Sequence, residues 1–238
     1  MRQVATLVDT DTSVPVHLGL ILDGNRRWAR ARGLPDTEGH REGVETLRKI
    51  VRAGFSHGVH YISAYVFSTE NWKRTKSEVK FLISLALRFL DNDLDQLHKD
   101  GIRVVIIGSR FGLSKKVVNA IDKAEQRTKD NQGGVLALCL NYGGHEELVA
   151  AVKKILRARI QADQLDEATI AEYLYHPEVP PLDMIIRTSG EQRLSNFMLW
   201  RSEYAELKFV DKNWPDFSPA DLDEALADYA QRERRLGK

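Results

Sequence analysis

The 238-residue sequence contains a single cysteine, Cys139, and almost no excess of charge of either sign. One cysteine cannot form an intramolecular disulfide or a cysteine-rich metal site, which is typical of a protein from a reducing compartment. The 35 basic and 34 acidic residues leave a net charge of +1, so no overall basic field favours nucleic acid. We therefore expect no nucleic-acid partner.

Long apolar runs are also missing. No window approaches the roughly 18 apolar residues of a membrane span, and the first residues, which include Asp9 and Asp11, lack the apolar stretch of a secretory signal. We therefore expect a cytoplasmic protein without a membrane span, in which residues 1–15 form a flexible arm. The 42% hydrophobic content can build a real core at this length, and we place a single domain at residues 16–238.

Apolar, β-branched segments alternate with helical segments along the whole chain. This alternation predicts an α/β fold with a mainly parallel sheet, covered by helices on both faces and binding its ligands at the carboxyl ends of the strands. Cys139 lies in an apolar run and is interpreted as a buried strand residue. The predicted strands cover residues 16–22, 59–67, 102–107, 135–141, 184–187 and 206–210, and the predicted helices cover residues 43–57, 77–99, 114–131, 146–162 and 218–235.

The helix predicted over residues 77–99 has almost no polar face in its first half, where eight apolar residues lie between Phe81 and Leu90. A helix that is apolar nearly all round is buried on more than one side. Two interpretations stay open: a central core helix, or a helix with one side lining an apolar cavity that suits a hydrocarbon ligand.

A first candidate site follows the first predicted strand, in the hexapeptide from Asp23 to Trp28. Glycine permits a tight turn, the N–H groups of a helix start favour an anion, and Arg26 and Arg27 add positive charge, which together predict a phosphate cradle. The carboxylate of Asp23 would repel a bare phosphate but would bind Mg²⁺ that bridges to phosphate oxygens. An ordinary turn has the same character, so the hexapeptide alone leaves both interpretations open.

Two further polar loops follow predicted strands. Residues 187–196 include Arg187, Arg193 and Ser195, which suit phosphate oxygens because guanidinium groups bind them bidentately. Residues 67–74 gather hydroxyl, amide and guanidinium groups that can orient a reacting centre. Each loop alone is compatible with an exposed polar surface, but two phosphate-binding loops suggest two substrates that each carry phosphate.

These motifs, taken in order, resemble the cis-prenyl transferase family, whose bacterial members make undecaprenyl diphosphate, and look most like its actinobacterial branch. The resemblance covers His17 to Gly237. The matching segments are residues 23–25 with 27–28, 39–40, 67–72, 141–144, 187–191, 193–197 and 204–206.

The resemblance implies a homodimer with a six-stranded, mainly parallel sheet and an apolar tunnel lined partly by the long helix. It also implies Mg²⁺ as the cofactor, and isopentenyl diphosphate with an allylic diphosphate, dimethylallyl diphosphate or a longer one, as the substrates. The predicted domain would thus be a cis-prenyl transferase domain.

The family's roles fall on matching positions of this sequence. Asp23 would hold Mg²⁺ and help the allylic diphosphate to leave, and Glu206 would reach the metal site across the dimer. Catalytic roles fall on Asp23, Ser68, Asn71 and His40. The residues expected to bind or position the substrates are Gly24, Asn25, Arg26, Arg27, Trp28, Asp36, Val66, Trp72, Arg74, Arg187, Arg193 and Ser195, with Arg235 and Gly237 of a C-terminal Arg-any-Gly motif that completes the partner's site.

Several positions depart from the family's pattern. Asp36 stands where the family has an arginine that grips the allylic diphosphate, so this carboxylate would weaken that site or serve another proton or metal step. Arg26, often glycine in the family, would restore the missing charge from another direction. Val66 replaces an alanine beside the tunnel, where two extra methyl groups would favour a short product. His145 replaces an arginine, and the sequence offers no interpretation of this change.

The sequence leaves three functions open. The first is condensation of isopentenyl diphosphate with an allylic diphosphate, giving a short product. The second is irregular, head-to-middle coupling of two dimethylallyl diphosphates to a lavandulyl-type or cyclised product, which the changes at Asp36 and Val66 favour. The third is a non-catalytic subunit that stabilises an active relative, against which Asp23, Glu206 and the arginine loops argue.

Overall fold

The computed structural model describes residues 13–234, which fold into one α/β domain. Its strands are β1 (His17–Ile21), β2 (Tyr61–Ser68), β3 (Ile102–Ile107), β4 (Gly134–Tyr142), β5 (Met184–Arg187) and β6 (Glu206–Phe209). Its α-helices are α1 (Asn25–Ala31), α2 (Asp36–Ser56), α3 (Lys76–Asn92), α4 (Leu94–Lys99), α5 (Lys115–Thr128), α6 (Gly144–Arg157), α7 (Glu167–Tyr173) and α8 (Pro219–Ala230).

The six strands form one sheet in the order β3-β4-β2-β1-β5-β6, and every pair is parallel. The predicted six-stranded, mainly parallel sheet is therefore confirmed. β1 pairs with β2 on one side and with β5 on the other, so the strand order reverses around β1. Because parallel strands end at the same edge, the loops after β1, β2 and β5 meet there, where such folds bind ligands.

The sheet is buried on both faces. Leu18 and Leu20 of β1 pack into a core with side chains from α2, α3, α5 and α8. The alternate residue Ile21 and Cys139 of β4 face a second core that includes Phe197. Cys139 is fully buried, which confirms its interpretation as a strand residue.

Two predicted helices differ from the structure, and one helix was not predicted. α2 begins at Asp36 rather than at Gly43, because Pro35 and the acidic residues of the first turn support an earlier start despite the glycines that lower helix propensity. The predicted single helix over residues 77–99 is wrong, since the chain ends α3 and starts α4 at Asp93. The short helix α7 was not predicted, and it has no buried residue to mark it in the sequence.

The amino-terminal arm predicted for residues 1–15 falls mostly on residues 1–12, which lie outside the described residues. Within the described part, Pro15 is buried and Val14 packs against the core. Among residues 13–234, no helix combines the length and the apolar character that a bilayer crossing requires.

Candidate active site

Asp23 lies directly after β1, at the edge where the polar loops meet. Its Oδ2 accepts a hydrogen bond from Nη2 of Arg187 at 2.8 Å, and its Oδ1 accepts one from the Gly24 N–H at 2.7 Å. Burial alone would raise the pKa of Asp23, but Arg187, the Gly24 N–H and Arg27 outweigh burial and hold it below its usual value. The carboxyl group is therefore ionised at neutral pH.

Gly24 makes the turn from Asp23 into α1. Its φ of 100° is left-handed, and a Cβ there would lie 2.4 Å from Oδ1 of Asn213 and 2.6 Å from Oγ of Ser189. Asn25 donates from Nδ2 to the Leu22 carbonyl at 3.0 Å, whereas its buried Oδ1 has no partner among the described residues. The tight turn thus leaves a buried acceptor beside Asp23.

Arg187 is the buried cation of the site. Besides its contact with Asp23, Nη1 donates to Oγ of Ser195 at 2.8 Å and to the Arg193 carbonyl, while Nε is buried without a partner in the described structure. Arg193 is more than half exposed and pairs with Glu191, which also pairs with Arg27 at 3.1 Å. The predicted loop therefore divides into a buried Arg187–Ser195 unit and an exposed rim.

The loop after β2 is fixed by its own side chains. The Ser68 N–H donates to Oδ1 of Asn71 at 3.0 Å, and both residues face the cavity described below. Trp72 donates from Nε1 to Oδ1 of Asn141 at 2.7 Å and packs edge-on against Phe67. Ser68 and Asn71 thus lie at the site, whereas Trp72 is anchored beside it and is 43% exposed.

His40 of α2 and Arg74 line the cavity described below. With Glu78, which contacts both, and Arg26, which contacts Glu78, they form what we call the cavity entrance, although Glu78 and Arg26 do not line the cavity. Burial, with the charge of Arg74 as a further cause, lowers the pKa of His40 to about 4, so the imidazole is neutral. Its Nε2 is buried with no hydrogen-bond partner in residues 13–234 and lies 3.8 Å from Glu78. Glu78 also accepts from Nη1 of Arg74 at 2.7 Å and lies 3.7 Å from Nη1 of Arg26.

Asp36 is not turned into the cavity. Both of its carboxylate oxygens accept from Arg30, at 2.9 and 2.8 Å, and these hydrogen bonds lower the pKa of Asp36. Trp28 likewise points to the outer side of α1, where Nε1 donates to Asp216 at 2.7 Å. Neither residue lines the cavity.

The polar groups stand at one end of a cavity of about 600 Å³. Val66 of β2 lies in its wall. The structure confirms that α3 lines a cavity on one side. The apolar lining comes from α2, α3 and the sheet: Val44, Leu47, Leu82, Leu85, Ala86, Phe89, Leu90, Ile106, Leu138 and Leu140.

Besides Asp36 and Trp28, the predicted site residues that do not line this cavity are Gly24, Arg26, Arg27, Trp72, Arg193 and Glu206. Glu206 lies at the amino end of β6, whereas Asp23 follows the carboxyl end of β1, so the two residues lie at opposite ends of the parallel strands. Glu206 pairs with Arg232 at 2.8 Å. Within one chain the two predicted metal ligands are therefore apart. Arg235 and Gly237 lie outside the described residues.

Sequence reasoning missed several residues of the site. Glu78 holds the arginines at the entrance, and Asn196 donates to Glu70 at 2.9 Å and accepts from the His145 N–H at 2.9 Å. His145 itself lines the cavity. A carboxylate one turn into a helix carries no signal of its own in the sequence, because the arginines that it meets come from other elements.

Comparison with known proteins agrees with this fold. The family model described as undecaprenyl diphosphate synthase matches residues 21–237. Isoprenyl transferase 2 of Bradyrhizobium diazoefficiens is 46% identical over 230 residues, covering 95% of this chain and 91% of that protein. A trans,polycis-polyprenyl diphosphate synthase of Thermobifida fusca, (2Z,6E)-farnesyl diphosphate specific, is 45% identical, covering 94% of this chain and 81% of that protein.

Among solved structures, lavandulyl diphosphate synthase from Lavandula x intermedia, in complex with dimethylallyl diphosphate, superposes with a TM-score of 0.92 at 36% identity. The match covers 96% of this chain and all of that chain. Fold and relatives together define an α/β prenyl transferase. The chain belongs to the undecaprenyl diphosphate synthase family, as the motifs predict.

Proposed function

We propose that this protein is a Mg²⁺-dependent cis-prenyl transferase that condenses isopentenyl diphosphate with an allylic diphosphate and releases a short prenyl diphosphate. One observation carries the proposal: an ionised carboxylate, Asp23, lies beside the buried cation Arg187 at the polar end of a cavity with apolar walls. A diphosphate headgroup fits the polar end, and an isoprenoid chain fits the apolar end. The curated relatives named isoprenyl transferase support the same activity.

The residues around Asp23 fit magnesium. Mg²⁺ is bound through one or two carboxylates together with substrate phosphate oxygens, and it keeps several waters. Asp23 is ionised, is one-third exposed and faces the cavity. Among residues 13–234, no cluster of three or more acidic, histidine or cysteine ligands exists, so phosphate oxygens would complete the shell. Bound there, Mg²⁺ would stabilise the charge on the departing diphosphate.

The protein's own groups would do the rest of the work. Arg27 and Arg187 would bind the diphosphates, and Ser195 would hold Arg187 in place. Ser68 and Asn71 would position the isopentenyl double bond against the allylic carbon and assist loss of its proton. The walls from α2 and α3 would exclude water from the allylic cation. The bond between the allylic carbon and oxygen breaks, a carbon–carbon bond forms, and one proton leaves.

The homodimer belongs to the same proposal. α6 carries three exposed apolar side chains, Val149, Val152 and Leu156, and Leu207 of β6 and Tyr204, two residues before this strand, are also exposed. An apolar surface of this kind suits a second copy of the chain, and it would let Glu206 serve the partner's site. Sedimentation would give the dimer mass. Mixed dimers of D23A and E206Q would then regain activity, because one site per dimer would have both carboxylates.

A second candidate is irregular coupling of two dimethylallyl diphosphates. Asp36 pairs with Arg30 outside the cavity, so this position supplies no cation to grip a long allylic diphosphate, and Val66 lies in the cavity wall. The fold is also very similar to that of a lavandulyl diphosphate synthase. These observations favour a small substrate, but the relatives named isoprenyl and polyprenyl transferases keep ordinary condensation as the leading proposal.

A product assay distinguishes the two reactions. Purified protein with Mg²⁺ receives dimethylallyl diphosphate alone, and then isopentenyl diphosphate with allylic primers of increasing length. Linear cis products formed only with isopentenyl diphosphate support the leading proposal, and V66A should then lengthen them. A branched or cyclic ten-carbon product from dimethylallyl diphosphate alone supports irregular coupling. Absence of product in both assays contradicts both. We infer that the reaction takes place in the cytoplasm.

A further inference from the structure

The cavity entrance contains a carboxylate for which the proposed reaction gives no role. Glu78 lies in the first turn of α3, and its side chain is only 18% exposed. Its Oε1 accepts from Nη1 of Arg74 at 2.7 Å and lies 3.7 Å from Nη1 of Arg26. Three separate elements, α1, the segment before α3 and α3 itself, therefore meet at one carboxylate.

The charges at this point do not balance without a ligand. Arg26 and Arg74 bring two positive charges to Glu78, while His40, 3.8 Å away, is buried and has an unpartnered Nε2. The nearby carboxylate of Asp36 pairs with Arg30 and therefore does not offset the charges of Arg26 and Arg74. The entrance thus has an excess of cation and of unused hydrogen-bonding capacity, and Glu78 offsets only part of it.

We infer that Glu78 is a positioning residue that acts as a resident counter-anion: it holds Arg26 and Arg74 at the entrance and competes for them with the substrate's diphosphate group. The inference rests on the proposed function, because it takes a diphosphate as the ligand. A diphosphate that enters would take over the hydrogen bonds of the arginines, and Glu78 would recover them when inorganic diphosphate leaves. The carboxylate therefore lowers diphosphate affinity and speeds release.

The side chain of Glu78 is not needed to start α3. The helix is capped by Oγ1 of Thr75, which accepts from the backbone N–H of Glu78 at 3.3 Å, so a change of side chain leaves the cap in place. Glutamine at this position keeps an oxygen acceptor for Arg74 and removes only the charge. E78Q therefore separates competition by charge from the positioning of Arg74.

The test measures the binding of inorganic diphosphate by calorimetry, with and without Mg²⁺, to the full-length wild type and to E78Q. We expect E78Q to bind about tenfold more tightly, since a hydrogen bond to a charged group contributes on this scale, and to show a lower kcat with a lower KM for the allylic substrate. The matched control is E45Q, because Glu45 also pairs with an arginine, Arg48, but lies on α2 away from the cavity. Its diphosphate affinity should equal that of the wild type.

A second variant tests the inference without relying on E78Q alone. R26G should weaken diphosphate binding, and in that background E78Q should gain clearly less affinity, because one of the two contested arginines is gone. Equal or weaker diphosphate binding by E78Q, or full additivity of the two changes, overturns the inference while the wild type still binds diphosphate and turns over prenyl substrates. A wild type that does neither overturns the proposed function, and the inference with it.

Discussion

Two arginines are buried to nearly the same degree, but one belongs to the candidate site and the other makes only structural contacts. Arg187 at the site is 4% exposed, and Arg201, which lies between β5 and β6 in the chain, is 3% exposed. Arg201 has a partner for every nitrogen: Nε donates to the Val179 carbonyl, Nη1 to Glu147 at 2.9 Å and Nη2 to the Tyr175 carbonyl at 2.7 Å. Arg187 leaves Nε unpaired in the described structure. The unpaired Nε of Arg187, which lines the cavity, is a donor that a substrate oxygen can use, whereas Arg201 has no donor nitrogen to spare.

The surroundings differ in the same way. Glu147 accepts from the Tyr142 hydroxyl at 2.7 Å and from the Tyr175 N–H at 3.1 Å, which completes what we call the Arg201 network (Tyr142, Glu147, Tyr175 and Arg201). Left-handed backbone occurs in both regions: φ is 77° at Ser189 and 50° at Ser195 near Arg187, and 45° at His176 and 42° at Met198 near Arg201. The two regions therefore differ in hydrogen bonding and not in backbone strain.

The largest effect is expected from breaking the Arg201 network. R201A would leave Glu147 as a buried, unpaired charge and should lower the free energy of unfolding by about 3–5 kcal/mol. Urea denaturation measures this loss. K208A is the control, because its pair with Asp228 is about one-third exposed and should contribute less than about 1 kcal/mol. A similar loss in both variants would contradict a special role for the network.

At the site, the larger effect should fall on turnover and not on folding. D23A removes the ionised carboxylate beside Arg187 and should lower kcat/KM by about two to three orders of magnitude, as loss of a preorganised charge does. The free energy of unfolding should fall as well, because the buried Arg187 loses its carboxylate partner, but by less than in R201A, since Asp23 is one-third exposed and water can reach its place. D228A, an exposed acid on α8, is the control. Undiminished turnover by D23A would instead favour a non-catalytic role for this chain.

A smaller effect on both properties is expected at Gly39. A Cβ there would lie 1.9 Å from the backbone carbonyl oxygen of Asn25, so G39A must push α1 away from α2. We expect a loss of about 1–3 kcal/mol in stability, and a further loss of turnover because Asn25 moves with α1. Thermal unfolding and steady-state kinetics measure the two. R52A, at an exposed position of the same helix, should leave both unchanged.

The sequence could predict those parts of the fold and site that depend on short segments. The strands Ile102–Ile107 and Met184–Arg187 have the predicted bounds because apolar, β-branched runs determine them locally. The meeting of the Asp23, Ser68 and Arg187 loops follows from the parallel sheet alone. These are properties of patterns within about ten residues.

Contacts between distant elements could not be predicted. The pair of Asp36 with Arg30 joins α2 to α1, and the pair of Glu78 with Arg26 joins α3 to α1. The break at Asp93 is another example, since Arg48 of α2 holds its carboxylate through two hydrogen bonds, at 2.7 and 2.8 Å. Tertiary contacts of this kind override the local helical preference.

The smallest effect should be a dependence of stability on pH with opposite sign in the two regions. His176, whose carbonyl accepts from Arg201, lies between Glu125 and Glu178. Burial would lower the pKa of His176, but the two carboxylates outweigh it and raise it to about 9. Its contribution is complete below pH 6.5 and is lost as the pH rises towards 9.

His40 at the site should behave the other way. Because burial lowers its pKa to about 4, its contribution is complete above pH 6.5 and is lost as the pH falls towards 4, where His17, with a pKa of about 4, adds to the loss. The free energy of unfolding, measured by thermal unfolding between pH 4 and 10, should therefore depend less on pH on the alkaline side in H176Q. In H40Q it should depend less on pH on the acid side, and each change should be less than about 2 kcal/mol. If both variants changed the same side of the pH dependence, the two regions would share one electrostatic environment, and the contrast between a satisfied network and an unsatisfied site would fail.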